Sequence, residues 1–128
     1  MTRTIVTTDA APRPAGGYSQ GVRVSASELV FTAGFGPTDP ITRQVVGADV
    51  AAQTRQVLAN IAAVLGEAGL GLADVAKATV HLADLHRDFA AFDAVYRELM
   101  PEPRPVRTTV DSVLMNILVE IDVVAARP

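Results

Sequence analysis

Arg107 lies in the run PEPRPVRTTV, two residues after Pro105 and among β-branched neighbours. An extended chain there sends Arg107, Thr109 and Asp111 to one face and Thr108 and Val110 to the other. A guanidinium in such a strand needs a partner, because it cannot shed its charge by deprotonation. Its planar fork suits a ligand carboxylate, which it can grip through two parallel hydrogen bonds. A structural ion pair with Asp111, Glu120 or Asp122 meets the same need, and periodicity alone favours that plainer arrangement. Glu120 and Asp122 interrupt the apolar run LVEIDVV, on the face opposite Val119, Ile121 and Val123. One acid could position or deprotonate a water while the other holds strand register. A solvated strand face or an ion pair between subunits accounts for them equally well. Tyr18 in GGYSQG follows two glycines, which lets the backbone approach a ligand closely; an ordinary loop is the plainer reading.

Other chemistries find little support. The two histidines, His81 and His86, stand five residues apart, one on an expected strand and one in an expected loop, with no nearby acid set, so no metal site is expected. The chain has no cysteine, which excludes disulfides, zinc–thiolate and iron–sulfur sites and a thiol nucleophile. It has neither a G-x-S-x-G elbow nor a phosphate-binding glycine motif. No cofactor is therefore expected. A net charge of −3 argues against nucleic acid as the main partner. No apolar run approaches the roughly 18–20 residues of a membrane span, and MTRTIVTTDAAPRPAGG lacks the apolar stretch of a signal peptide. The expectation is a cytoplasmic protein with no membrane partner.

The elements that must position these residues can be read from periodicity. Residues 4–7, 21–25 and 29–33 are strand-like, and the last two, joined by a polar turn, read as an antiparallel hairpin. Residues 34–37 (GFGP) break the strand, and 38–47 form a loop. Over 49–68, Val50, Thr54, Val57, Ile61, Val64, Leu65 and Ala68 recur at spacings of three and four, which predicts a helix capped by Asp49 and ended by Gly69. Residues 75–82 alternate, with Ala76, Ala78, Val80 and Leu82 on one side and Lys77, Thr79 and His81 on the other. Asp88 is the expected N-cap of a second helix carrying Phe89, Phe92, Tyr96 and Leu99, stopped by Pro101 and Pro103. Strands over 106–110 and 118–124 close the chain. The order is β-β-β-α-β-α-β-β in one domain spanning 1–128, an α+β fold with a six-stranded, mostly antiparallel sheet. Two helices can cover one sheet face only. Hydrophobic residues make up 49% of the chain while aromatic residues make up 5%, a surplus that points to burial of the other face by further copies.

Several segments, in one order, resemble a single family. GGYSQG is similar to the G-x-Y-S-Q-G/A loop of the YjgF/RidA family, and LVFTAG to its L-V-Y-x-S-G strand. DVAAQTRQVLANIAAVLGEAGLGLADVAKATVHLADL resembles its long helix and following strand, FAAFDAVYRELMPEPRPVRTTV its F-x-x-x-N-x-V-Y…P-x-x-R-T/S segment, and LVEIDVVA its closing strand. The match covers nearly the whole chain, and the combination is specific. The resemblance implies a bacillus-type chorismate-mutase-like fold and a homotrimer with ligand clefts between subunits. It also implies hydrolysis of short 2-imino or enamine acids, such as 2-aminoacrylate and 2-iminopropanoate, to 2-keto acids and ammonia. By the same resemblance Arg107 holds the substrate carboxylate, Glu120 stands near the attacking water, Tyr18 lines the cleft and Gly34 ends the strand beside it. The alternatives are a non-catalytic module that senses a small carboxylate and an endoribonuclease.

The departures fall around the cleft. Phe35 stands where the family has an amide, residues 112–117 (SVLMNI) replace its A-R-L-P-K-G loop, one residue is added near His86 and Arg87, the second acid of the last strand is Asp122, and Asp93 stands where the family has Asn. Phe35, Leu114 and Met115 suggest a larger or more apolar imino acid.

Overall fold

The computed structural model describes residues 3–127. Its strands are β1 (Arg3–Val6), β2 (Gly21–Val24), β3 (Glu28–Phe31), β4 (Val75–Leu82), β5 (Val106–Asp111) and β6 (Val119–Arg127), and its helices are α1 (Val50–Glu67) and α2 (Leu85–Leu99), with one 3-10 turn at Leu72–Asp74. The α+β class and the element order agree with the expectation. The strands divide into two sheets, however: a β1–β2 pair and a four-stranded sheet ordered β3-β6-β4-β5.

The division corrects the expected hairpin. β2 pairs with β1, Arg3 opposite Val24 and Val6 opposite Gly21, while β3 pairs antiparallel with β6, Phe31 opposite Val124. A tight hairpin turn needs positive φ at its central residues. The Ser25-Ala26-Ser27 connection supplies no glycine, and none of its residues adopts positive φ. The nine-residue β6 is the longer partner, and the Ser27 amide already donates to the Arg127 carbonyl at 3.0 Å. β4 and β5 are parallel, as a β-α-β crossover through α2 allows.

α1 forms as its pattern predicts. The Asp49 carboxylate accepts from the Ala52 amide at 2.9 Å. At the other end Gly69 takes φ +74, its amide reaches the Gly66 carbonyl, and the Leu70 amide reaches back to Leu65. That double closure satisfies carbonyls the last turn leaves over. Val57, Leu58, Ile61 and Leu65 are fully buried against Ala78, Val80 and Leu82 of β4 and Val119, Ile121 and Val123 of β6. Each such side chain contributes about 1.5–3 kcal/mol relative to exposure. Gln53, off the expected apolar stripe, is also buried: its carbonyl accepts from the Leu118 amide at 2.8 Å and its amide donates to Gly47. Asn60 donates to the carbonyls of Gly36 and Thr38. Two polar side chains of α1 thus pin the loop that follows Gly34.

α2 starts earlier than expected. Its N-cap is Asp84, which accepts from the Arg87 amide at 3.0 Å, and Asp88 lies one turn inside, gripped by Arg87 through two hydrogen bonds of 2.9 and 2.8 Å. His86 consequently belongs to the helix and not to a loop. Both aspartates suit the start of a helix; the hydrogen bond from the Leu85 amide to Asp111 selects the earlier register by tying the start of α2 to the end of β5.

The helices cover one face of the four-stranded sheet. The opposite face carries Lys77, Thr79 and His81 of β4, Glu120 and Asp122 of β6, and the exposed Leu29 and Phe31 of β3. Ile121 sits at the junction, fully buried, exchanging two backbone hydrogen bonds with Phe35 and standing opposite Val80. Replacing Ile121 with Ala should lower the unfolding free energy by about 2–5 kcal/mol in urea titration; a loss below about 1 kcal/mol would show that β6 does not centre the core.

Candidate functional site

Arg107 enters through β5. Its register opposite Ala78 places it on the helix-facing side of the sheet, where its side chain is only 1% exposed. α2 supplies what surrounds it. Phe89, Phe92 and Tyr96 recur at helical spacing on one side of α2, and their ring centroids lie 5.7, 5.2 and 4.7 Å from the guanidinium carbon. Tyr18, from the glycine-containing loop, closes a fourth side at 5.3 Å. Aromatic faces attract a cation, more strongly where water is excluded.

The countercharge is Asp93, one turn before Arg97 on α2. Its Oδ1 accepts from Arg107 Nη1 at 2.7 Å and from the Gly17 amide at 3.0 Å, while its Oδ2 accepts from Arg97 Nε at 2.8 Å. None of the three acids considered from the sequence fills this role. Asp111 accepts from the Leu85 amide, and Glu120 and Asp122 project from the opposite sheet face. Burial works to raise the Asp93 pKa, but hydrogen bonds from Arg97, Arg107 and Gly17 together outweigh it and hold the carboxyl below its ordinary value. Tyr96 is pushed up to about 12, by burial against the opposing pull of the Arg107 and Arg104 charges. Its hydroxyl, Arg107 Nε and Thr109 Oγ1 are buried without a hydrogen-bond partner.

Glu120 belongs to a second cluster. It stands opposite His81 in the β4–β6 register, and a Cβ placed on Gly34 would come within 2.9 Å of its Oε2. Gly34 is thus where the chain passes against the carboxylate without a side chain between them. Phe35 follows, half-buried against the core, with its backbone bonded to Ile121. His81 Nδ1 lies 2.7 Å from Ser112 Oγ on the same face. The residues singled out from the sequence therefore form two groups. Arg107 and Tyr18 meet on the helix side, Glu120 and Gly34 meet on the open side, and Phe35, paired with Ile121, turns its ring to the core instead. Within one chain Arg107 and Glu120 are separated by two strand spacings, about 10 Å, and by the sheet itself.

Sequence reasoning placed Phe89 and Phe92 only on the helix stripe, marked Asp93 only as a departure from the family pattern, and assigned nothing to Arg97. A signal was present: Phe89, Phe92 and Tyr96 share a helical stripe with Asp93 beside it, and an arginine out of pattern in a strand demands an acid. Two cavities, of about 400 and 310 Å³, open elsewhere, the first lined by Asp49, Arg87 and Asp88 at the helix starts and the second by Leu58, Leu72 and Leu99. No group of three or more histidines and acids among the described residues is arranged to hold a metal ion, and no helix among them is long and apolar enough to cross a membrane.

An α+β layer with an arginine buried by its aromatic helix and an acid on the open sheet face defines the class. Residues 8–127 match the family model described as Endoribonuclease L-PSP. A RutC family protein of Pyrococcus abyssi is 40% identical over 98% of both chains. The 2-iminobutanoate/2-iminopropanoate deaminase of Escherichia coli is 38% identical over 99% of both. The crystal structure of a Rid-family protein from Yersinia pestis superposes with a TM-score of 0.86 at 26% identity, covering 98% of this chain and 99% of the other. The chain belongs to the YjgF/RidA family.

The Asp93 network makes a prediction about acid stability. A carboxyl whose pKa is lower folded than unfolded contributes stability that is complete above its unfolded value, about 3.9 for Asp. That contribution is lost as pH falls through the folded value. The melting temperature of the wild type should therefore drop on acidification below about pH 4, and Asp93→Asn should show a shallower drop. Identical acid profiles for the two proteins would mean that Asp93 is not held as an ion.

Proposed function

We propose that the protein hydrolyses short 2-imino or enamine acids to 2-keto acids and ammonia in the cytoplasm, at clefts shared between copies of the chain in a homotrimer. The observation that carries this reading is the Arg107 guanidinium, a fixed positive fork set among aromatic rings that already grips a carboxylate, that of Asp93, through one terminal nitrogen. A short 2-imino acid offers such a fork its carboxylate. A protonated imine is already electrophilic at carbon. The protein has to hold the acid group, fix the C=N bond and orient one water. Glu120 is the group for the water: it accepts a proton as the water oxygen bonds to carbon and the C=N π pair moves to nitrogen, then returns that proton to the amine nitrogen, so that ammonia leaves with the C–N electron pair as the new hydroxyl gives up its proton and the carbonyl forms. Neither metal nor organic cofactor is needed for that balance. The deaminase named among the relatives supports the substrate class.

The arrangement on opposite faces explains why clefts between copies are part of the proposal. β5 is an edge strand, so Arg107 sits at the margin of its chain, while Glu120 lies on the face that the helices leave uncovered. The edge of one copy against the open face of the next unites the two groups and buries Leu29 and Phe31. The ribonuclease activity in the family model's description finds no matching basic surplus in a chain of charge −3.

The test couples the protein to an amino-acid oxidase or dehydratase that generates the imine and follows imine loss. Arg107→Ala and Glu120→Gln should each lower the rate by about 100-fold or more. Full activity in Arg107→Ala would end the assignment of that residue. Co-refolding the two inactive variants should restore part of the activity, because mixed assemblies contain clefts with both groups intact. Restoration of none would show that each chain carries a whole site.

A further inference from the structure

We propose that Asp93 is an internal surrogate for the ligand carboxylate: its Oδ1 fills the place that a ligand oxygen takes on Arg107, and the two compete for it. This rests on the reading of Arg107 as the carboxylate holder.

The geometry is that of an occupied anion site. Asp93 Oδ1 receives one hydrogen bond from a guanidinium and one from a backbone amide, 2.7 Å from Arg107 Nη1 and 3.0 Å from Gly17 N, beside the Tyr18 ring that also faces Arg107. Those are the donors a small carboxylate needs. The rest of the fork is covered. A Cβ on Gly16 would come within 3.0 Å of Arg107 Nη2, so the backbone of that loop lies over the second terminal nitrogen, and Nε is buried. A ligand therefore reaches Arg107 by taking the Oδ1 position. The acid side chain keeps 11% exposure against 1% for the arginine, which places Asp93 on the solvent side of the pair.

Displacement is feasible because Asp93 has a second anchor. Its Oδ2 is held by Arg97, whose side chain is 49% exposed and long enough to follow it. Asp93 can leave Arg107 and remain paired. Oδ1 also accepts from the Gly17 amide, so its departure frees the Gly16–Gly17 backbone to rearrange over the incoming group. An internal acid in this place weakens every carboxylate ligand and favours those that make further contacts in the cleft.

The test measures pyruvate binding by calorimetry to the assembled protein. Asp93→Asn should tighten the dissociation constant by about tenfold or more, since a neutral amide is a poorer acceptor for a guanidinium. The gain should vanish in an Arg107→Ala background, as a direct competition requires. No tightening in Asp93→Asn, with binding still abolished by Arg107→Ala, overturns the competition and leaves the carboxylate reading standing. A gain that persists without Arg107 also overturns it, because a general field effect then suffices. Unchanged binding in Arg107→Ala alone overturns the carboxylate reading itself. Should Asp93→Asn fail to fold, Arg97→Gln decides: confining Asp93 to Arg107 should weaken pyruvate several-fold, and unchanged or tighter binding overturns the proposal.

Discussion

A guanidinium taken out of water keeps its charge, and that constraint organises one whole side of this molecule. Arg107 enters on an edge strand and ends almost wholly buried. The fold answers with a carboxylate from α2 and with four aromatic rings, three from the same helix and one from the loop at Tyr18. The carboxylate in turn fixes the loop through the Gly17 amide and the helix surface through Arg97. One charge thereby sets the relation between β5, α2 and the segment that joins β1 to β2. The loop is further held to the approach of β5, where Ser19 binds the backbone of Pro105 and Arg104.

The cluster around Glu120 is built by different means. Glu120 comes from the middle of the sheet, where strand register fixes its face, and Gly34 comes from a loop that Asn60 and Gln53 of α1 hold in place. The two clusters share no side-chain contact in the structure. They are coupled through the core: Ile121, next to Glu120, packs in the layer that α1 and α2 cover. The sheet between them holds the two clusters of one chain in fixed relation, because neither can drift relative to the other without disturbing that layer.

What could be read from the sequence follows from how local each determinant is. The α1 helix, its Asp49 cap and its Gly69 terminus depend on residues a few positions apart, and the pattern states them directly. The faces of β4, β5 and β6 follow from alternation, so the opposition of Arg107 to Val110 and of Glu120 to Ile121 was legible. Strand pairing was not: β3 chooses β6 over its neighbour β2, and that choice compares partners almost a hundred residues apart. The start of α2 was placed one turn too late: Asp84, four residues before the expected cap Asp88, satisfies the same rule, and a contact from Asp111 fixes the helix there. The partner of Arg107 was missed for a related reason. Acids were sought on neighbouring strand positions, whereas the acid lies on the helix packed against them. The resemblance did mark Asp93 as a departure, but the meaning of an acid where the family has Asn emerges only when Arg107 is seen beside it.

Stability alone does not account for the Arg107–Asp93 pair. Burying two charges carries a desolvation cost that mutual attraction repays only when geometry is good and the remaining donors are satisfied; apolar residues of similar volume often do as well or better. Here Nε has no partner, and Thr109 and Tyr96 leave two further polar atoms unsatisfied in the same region. A site built for rigidity would have closed these valences or dispensed with the charge. A site built to exchange one carboxylate for another must keep the arginine, keep its surroundings apolar enough to make the grip strong, and leave the resident acid a second cation to fall back on. Arg97 is that cation, and its place one turn along α2 makes the exchange a small movement of one side chain.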